Sequence, residues 1–257
     1  MPGVVDTDKH PVDFGPQFRV LNTDCTATSY SQLADDLATH CRREERHTLL
    51  VDFTNVHIVA MRSKDEQFRE ITDTMDLFVP DSMVLTWAVN WKGGSMRDRV
   101  YGPSFLTHMI TNSPPDLRHY FLGASQECLD LLLAQIRKRN PDFLIAGSHH
   151  GYFGTDDEDA VLADINAAQP DLVWVGLGTP KQQEWIYRVR DRARAGALLA
   201  VGFAFDVNAG TKKDAPPWMQ RMGLTWFYRL LQEPRRLWWR YLYYNSVFLW
   251  GLLRQKS

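Results

Sequence analysis

Short apolar runs alternate with stretches of helical periodicity through most of this chain. Residues 18–22, 48–53, 77–79, 119–122, 143–146, 172–175 and 198–201 are predicted strands. Between them, residues 29–40 place Leu33, Leu37 and Ala38 on one helical face. Further helices are predicted over 63–74, from Ser82 to a break at Gly93-Gly94, and over 104–110, 125–137, 157–168 and 182–193. This alternation implies an α/β protein: a Rossmann-like, mostly parallel sheet with helices on both faces. Ligands of such sheets gather beyond the carboxyl ends of the strands. Those ends carry Thr54-Asn55, Pro80-Asp81, Gly123, Gly147, Gly176-Leu-Gly178 and Phe205-Asp206.

The pattern changes after Ala200. An apolar strand breaks at Gly202, turns through Asn208-Ala-Gly210, and gives way to a predicted chain of short helices. Ala215-Pro-Pro217 fits a helix start, since proline loses little in the first turn. The segment then becomes aromatic and basic at once. From Phe227 onward it holds Arg229, Arg235, Arg236, Arg240, Arg254 and Lys256 against Glu233, a local net charge of +5. Guanidinium forks suit phosphate oxygens, and Trp and Tyr settle where one end is wet and the other apolar. The same stretch also fits a helix that packs its aromatics inward and solvates its arginines. The expected organisation is a flexible lead over residues 1–16, a body over 17–225, and a helical aromatic and basic appendage over 226–257.

Bulk properties narrow the class. A chain of 257 residues, 44% hydrophobic and 23% charged, is an ordinary globular protein with room for a sizeable core. Its net charge of −2 excludes a global basic field, so no nucleic-acid partner is expected. Cys25, Cys41 and Cys128 are scattered and form no CxxC pair, which points to reduced thiols. The N-terminal residues have no apolar signal core, and the apolar run 247–253 is far short of the roughly 20 residues a membrane span needs. Any membrane role would be peripheral.

Several residues carry candidate chemistry, each with a plainer structural alternative. Asp81 follows a strand and precedes an apolar helix, where aspartate also serves as a helix cap. Thr54 and Asn55 sit where turn chemistry is common. Gly176 and Gly178, between strand and helix, allow a phosphate to approach backbone N–H groups, although strand-to-helix turns are often glycine-rich. Asp157-Glu-Asp159 has the form of a metal-diphosphate DxD, yet acidic residues at a helix start suit the macrodipole unaided. His149-His150 has no evident third ligand, so a metal pair is not expected, and a loop lining a nucleotide pocket is the functional alternative.

The tail residues carry a resemblance. Phe205-Asp206, Gly210, Ala215-Pro216, Trp218, Gly223-Leu224, Trp226, Tyr228-Arg-Leu230, Glu233-Pro234, Arg236-Leu237 and Arg240-Tyr241 resemble the C-terminal signature of the WecG/TagA/CpsF family of bacterial glycosyltransferases. Upstream, residues 75–81 resemble that family's a-D-x-v-x-P-D, Arg99 to Ser104 its R-V-x-G-x-D, and residues 178–183 its G-x-P-K-Q-E. The chain departs from the family pattern at Phe53, Ser82, Ser104, Gln183, Asp214 and Trp239.

The resemblance implies an inverting transferase that needs no metal cofactor. It would move a sugar from a UDP-sugar to a lipid-linked sugar acceptor, of the undecaprenyl-diphosphate kind, in cell-surface polysaccharide synthesis. Asp81 would be the catalytic base, with Asn55 and Thr54 beside it. Arg99, Gly102, Gly176, Gly178 and Gln182 would contact the donor, and Arg229, Arg236 and Arg240 would clamp diphosphate. The protein would sit in the cytoplasm at the inner face of the plasma membrane, its tail on anionic lipid, with homo-oligomers left open. Glucose, N-acetylmannosamine and N-acetylmannosaminuronic acid all remain open as the transferred sugar. Two other classes stand beside this one. A non-catalytic sugar-nucleotide or lipid-diphosphate binder would account for the departures, and a nicotinamide oxidoreductase would lack its full glycine fingerprint here.

Overall fold

The computed structural model describes residues 12–255, and Arg236 through its backbone alone. Most of the expected lead therefore lies outside the described residues. The strands are β1 (Gln17–Val20), β2 (Thr23–Thr26), β3 (Leu49–Thr54), β4 (Leu77–Pro80), β5 (His119–Gly123), β6 (Ile145–His149), β7 (Leu172–Gly176) and β8 (Ala197–Ala200). They form one sheet in the order β1-β2-β4-β3-β8-β7-β5-β6. All neighbouring pairs are parallel except β1 with β2, a short antiparallel hairpin.

Strand side chains alternate between two buried faces, as the period of two requires. In β7, Leu172 and Trp174 join one core and Val173 and Val175 the other. The first face is covered by α1 (Tyr30–Cys41), α5 (Gly102–Asn112), α6 (Gln126–Arg139) and α9 (Ala204–Ala209). The second is covered by α7 (Glu158–Ala168) and α8 (Lys181–Val189). A third core lies over β1 and β2 and joins α2 (Val56–Lys64), α4 (Met83–Trp91) and α12 (Pro234–Arg254). The remaining helices are α3 (Glu66–Thr72), α10 (Pro217–Arg221) and α11 (Thr225–Gln232).

Three expectations change. The first strand was expected over 18–22, but Leu21 adopts φ 55°, so β1 stops at Val20 and the chain doubles back into β2. The helix expected over 63–74 is two helices, because Asp65 ends α2 and caps α3 through the Phe68 N–H. The tail is not all short helices. α12 runs 21 residues, starts at Pro234, and packs along α2, burying Leu237 and Phe248. No described helix is long and apolar enough to cross a membrane.

Candidate active site

Asp81 stands just beyond β4, and its backbone N–H donates to the Thr54 carbonyl at 2.7 Å, tying it to the end of β3. Capping, the plainer role for an aspartate here, falls to its neighbour: the Ser82 hydroxyl accepts the Leu85 N–H and starts α4. The Asp81 carboxylate is thereby released. Its Oδ1 accepts the Gly102 N–H at 2.7 Å, and the side chain borders a cavity of about 290 Å³. Burial pushes the Asp81 carboxyl up to about 6, against the opposing pull of Arg99, the Gly102 hydrogen bond and Arg229. A carboxylate in that range is a competent general base near neutrality.

The ends of β3, β4 and β8, the start of α4 and the C-terminal helices wall this cavity. Asn55 borders it while its Oδ1 caps α2 by accepting the His57 and Ile58 N–H groups. Arg99 also borders it, 4% exposed, with its guanidinium 4.0 Å from the Tyr101 ring centre and Nη2 donating to Gln220. Asp214, one of the departures from the family pattern, completes this support: it accepts from the Tyr101 hydroxyl at 2.9 Å and the Gln220 amide at 3.0 Å. Phe53 is another departure, and it is a core residue packed on Phe105.

Arg229 and Arg240 reach the same cavity from α11 and α12. Arg229 lies 3.8 Å from the Phe203 ring centre. Arg240 Nη2 donates to His57 Nδ1 at 2.6 Å, and Tyr244 meets the same imidazole edge-on at 4.5 Å. Burial and the two arginines push His57 down to about 2, so it stays neutral and acts as an acceptor. Sequence reasoning missed His57 as a site residue. Its place two residues after a strand-end asparagine was the available signal. The side chain of Arg236 lies outside the described residues.

Other expected site residues lie elsewhere. Thr54 is fully buried and its hydroxyl donates to Asp52, so it does not border the cavity. Gly102 holds Asp81 through its N–H, and an added Cβ would come within 3.3 Å of the Val201 carbonyl. Gly176 serves packing, since a Cβ there would meet Phe205 at 2.9 Å. Gly178 takes φ 79°, but its N–H is already given to Gln182 Oε1. The same oxygen accepts the Gly202 N–H at 3.1 Å, so Gln182 joins the turns after β7 and β8 and is nearly buried. The loop still lies close by: Thr179 and Pro180 border a second cavity of about 420 Å³, shared with His57, Trp239, Arg240 and Tyr243.

Asp157 accepts the Gly154 N–H and Asp159 pairs with Arg192, so both serve their own helix start and its neighbour. His149 Nδ1 bonds the His150 carbonyl. Among the described residues no three His, Cys, Asp or Glu side chains gather into a metal-binding group. The three thiols are buried and unpaired, with Cys25 and Cys41 pushed up to about 12 by burial.

An N-acetylglucosaminyldiphosphoundecaprenol N-acetyl-beta-D-mannosaminyltransferase of Bacillus subtilis (strain 168) is 28% identical to this chain over 209 residues, covering 81% of it and 80% of the relative. The protein of the same name from Staphylococcus aureus (strain MW2) is 26% identical over 219 residues, 85% of each chain. The model of the glycosyl transferase WecG/TagA/CpsF family matches residues 18–257, a span that contains the sheet, Asp81 and both arginine-bearing helices. The chain belongs to the WecG/TagA/CpsF family of glycosyl transferases.

Proposed function

We propose that this protein transfers an N-acetylmannosamine-type sugar from its UDP carrier, with inversion, to a sugar hydroxyl on a polyprenyl-diphosphate acceptor. The observation that carries the reading is a single carboxylate, Asp81, pushed up to about 6, in one cavity with Arg99, Arg229 and Arg240. The acceptor hydroxyl gives its proton to Asp81 as its oxygen attacks the anomeric carbon. The bond to UDP breaks on the opposite side, and the Arg99 and Arg229 guanidinium groups meet the charge growing on the departing diphosphate. No metal is assigned a part. The relatives named above act on an undecaprenyl-diphosphate-linked sugar, which supports the acceptor class.

The outer side of α12 exposes Trp238, Trp239, Leu242 and Trp250 beside Arg235 and Arg254. In this reading that surface rests on anionic lipid at the cytoplasmic face of the membrane, where the acceptor resides. The test incubates the protein with UDP-N-acetylmannosamine and an N-acetylglucosaminyl-diphosphate lipid. A β-linked disaccharide product with stoichiometric UDP is expected. Release of UDP without disaccharide, or no turnover with any UDP-sugar of a panel, overturns the reading.

A further inference from the structure

The cavity at Asp81 is chemically two-sided, and only one side is used by the reaction. Its upper end holds Asp81, Arg99, Arg229 and Arg240. Its remaining lining is mostly apolar and includes Met83 and Val84 from α4, Phe248 and Leu249 from α12, and Val56 of α2, with Asn245 the polar residue on the α12 side. The two helices carry these residues in order away from the charged end. On α12, Arg240 at the head is followed by Tyr241, Asn245 and Leu249, spaced four residues apart and thus on one face. Phe248 is eight residues past Arg240, about 12 Å along the axis. On α4, Met83 continues at the same spacing to Trp87 and Trp91, which are 49% and 60% exposed.

Both helices run the same way from the cavity mouth. Arg240 is fixed to His57 at the start of α2, whereas Gly251 lies against Leu21 in the β1–β2 turn at the far edge of the sheet. α4 likewise starts beside Asp81, and its Leu85, Ala88 and Val89 share a core with Phe248. An apolar groove therefore leads from the arginines down between α4 and α12. A sugar nucleotide, polar throughout, gains nothing from these walls. A lipid diphosphate matches the sequence of surfaces: anion at Arg240, hydrocarbon along Val84 and Leu249.

We propose that this groove holds the first isoprene units of the acceptor's polyprenyl chain, with the acceptor's own diphosphate at Arg240. The assignment rests on the transferase reading above and adds to it a lipid subsite inside the protein. Recognition of the chain is then a property of the folded protein in water, separate from any contact with a membrane surface. Each methylene buried is worth roughly fourfold in affinity, so even one isoprene unit in the groove produces a measurable preference.

The experiment compares farnesyl diphosphate with methyl diphosphate by titration calorimetry on the full chain, without detergent or vesicles. The wild-type protein is expected to bind the farnesyl compound at least about tenfold more tightly. Leu249→Asp, at a position 57% exposed and tolerant of charge, should remove most of that preference, and Val84→Trp should do so by filling the groove. Trp250→Asp, on the outer side of α12, should leave it intact. Equal affinity for the two compounds, or an equal loss in all three variants, overturns the groove. Turnover is measured in parallel on the same N-acetylglucosaminyl diphosphate carried by a farnesyl or a methyl group. Turnover on neither, with the binding preference intact, removes the transferase reading and leaves the lipid subsite standing.

Discussion

Two strand-to-helix turns on the same edge of the sheet have opposite fates. After β4, Asp81 is freed for the cavity because Ser82 takes over the cap and Gly102 supplies one hydrogen bond. After β7, the side-chain groups of the glycine turn are spent on fixed partners: Gln182 Oε1 accepts the N–H groups of Gly178 and Gly202, and the Gln183 amide N–H donates to the buried Asp52 at 2.7 Å. Residue type and place along the strand are similar in the two turns. What differs is whether a neighbour meets the local hydrogen-bonding need, since a buried polar group without a partner is costly. A strand-end polar residue is available for chemistry when its structural duty is done by something else.

Substitutions should separate the two turns sharply. Asp81→Asn keeps an oxygen for the Gly102 N–H but cannot accept the acceptor proton. Turnover should fall by about 10²–10⁴-fold with donor binding nearly unchanged, and near-normal turnover would remove Asp81 from its role. Arg229→Ala should lower turnover by roughly tens to hundreds-fold through the lost charge opposite the departing diphosphate. A change confined to the melting temperature would assign Arg229 to packing on Phe203 instead. At the other turn, Gln182→Ala should behave as a structural lesion. It strands two N–H groups, costs about 1–3 kcal/mol and lowers Tm by several degrees, with kcat of the folded fraction preserved. Loss of kcat at unchanged stability would return Gln182 to the donor site.

The pH dependence sharpens the contrast further, with the smallest effect. Asp81 must be ionised to act, so kcat/KM should rise with pH through an apparent value of about 6. Arg99→Gln removes one of the causes that hold the carboxyl down, so the rising limb should move to higher pH. The same raised value has a stability sign. A carboxyl held above its ordinary value binds its proton more tightly when folded. Its contribution is thus complete below the ordinary carboxylate range and is lost as pH rises through about 6. Asp81→Asn should flatten that limb of a Tm-against-pH curve. An unchanged curve would mean that Asp81 meets water freely.

Much of the fold was legible. The alternation of apolar runs with helical periods locates seven of the strands, because both faces of a parallel sheet are buried and leave continuous hydrophobic runs. The exception is β2, Thr23-Asp-Cys-Thr, whose polar residues carry no such signal and which forms through the turn at Leu21. The tail motifs located the family, and Asp81, Asn55, Arg99, Arg229 and Arg240 do converge on one cavity. Thr54 and Gln182 do not, because their hydrogen bonds are spent on Asp52 and on two turns. Two of the departures have structural roles that the sequence did not reveal: Asp214 supports Tyr101 and Gln220, and Ser82 caps α4.

The order of residues determined the α/β alternation, the family, and the strand ends at which chemistry could gather. It did so because local periodicity and short spaced motifs are properties of neighbours along the chain. Tertiary structure alone decided which strand-end groups face the cavity, that Arg240 is fixed on His57, and that α4 and α12 enclose an apolar groove. Those outcomes depend on partners such as Gly102 for Asp81 and α12 for α2, which lie 21 and about 180 residues apart. No local pattern encodes which of two polar groups will be satisfied by a distant one.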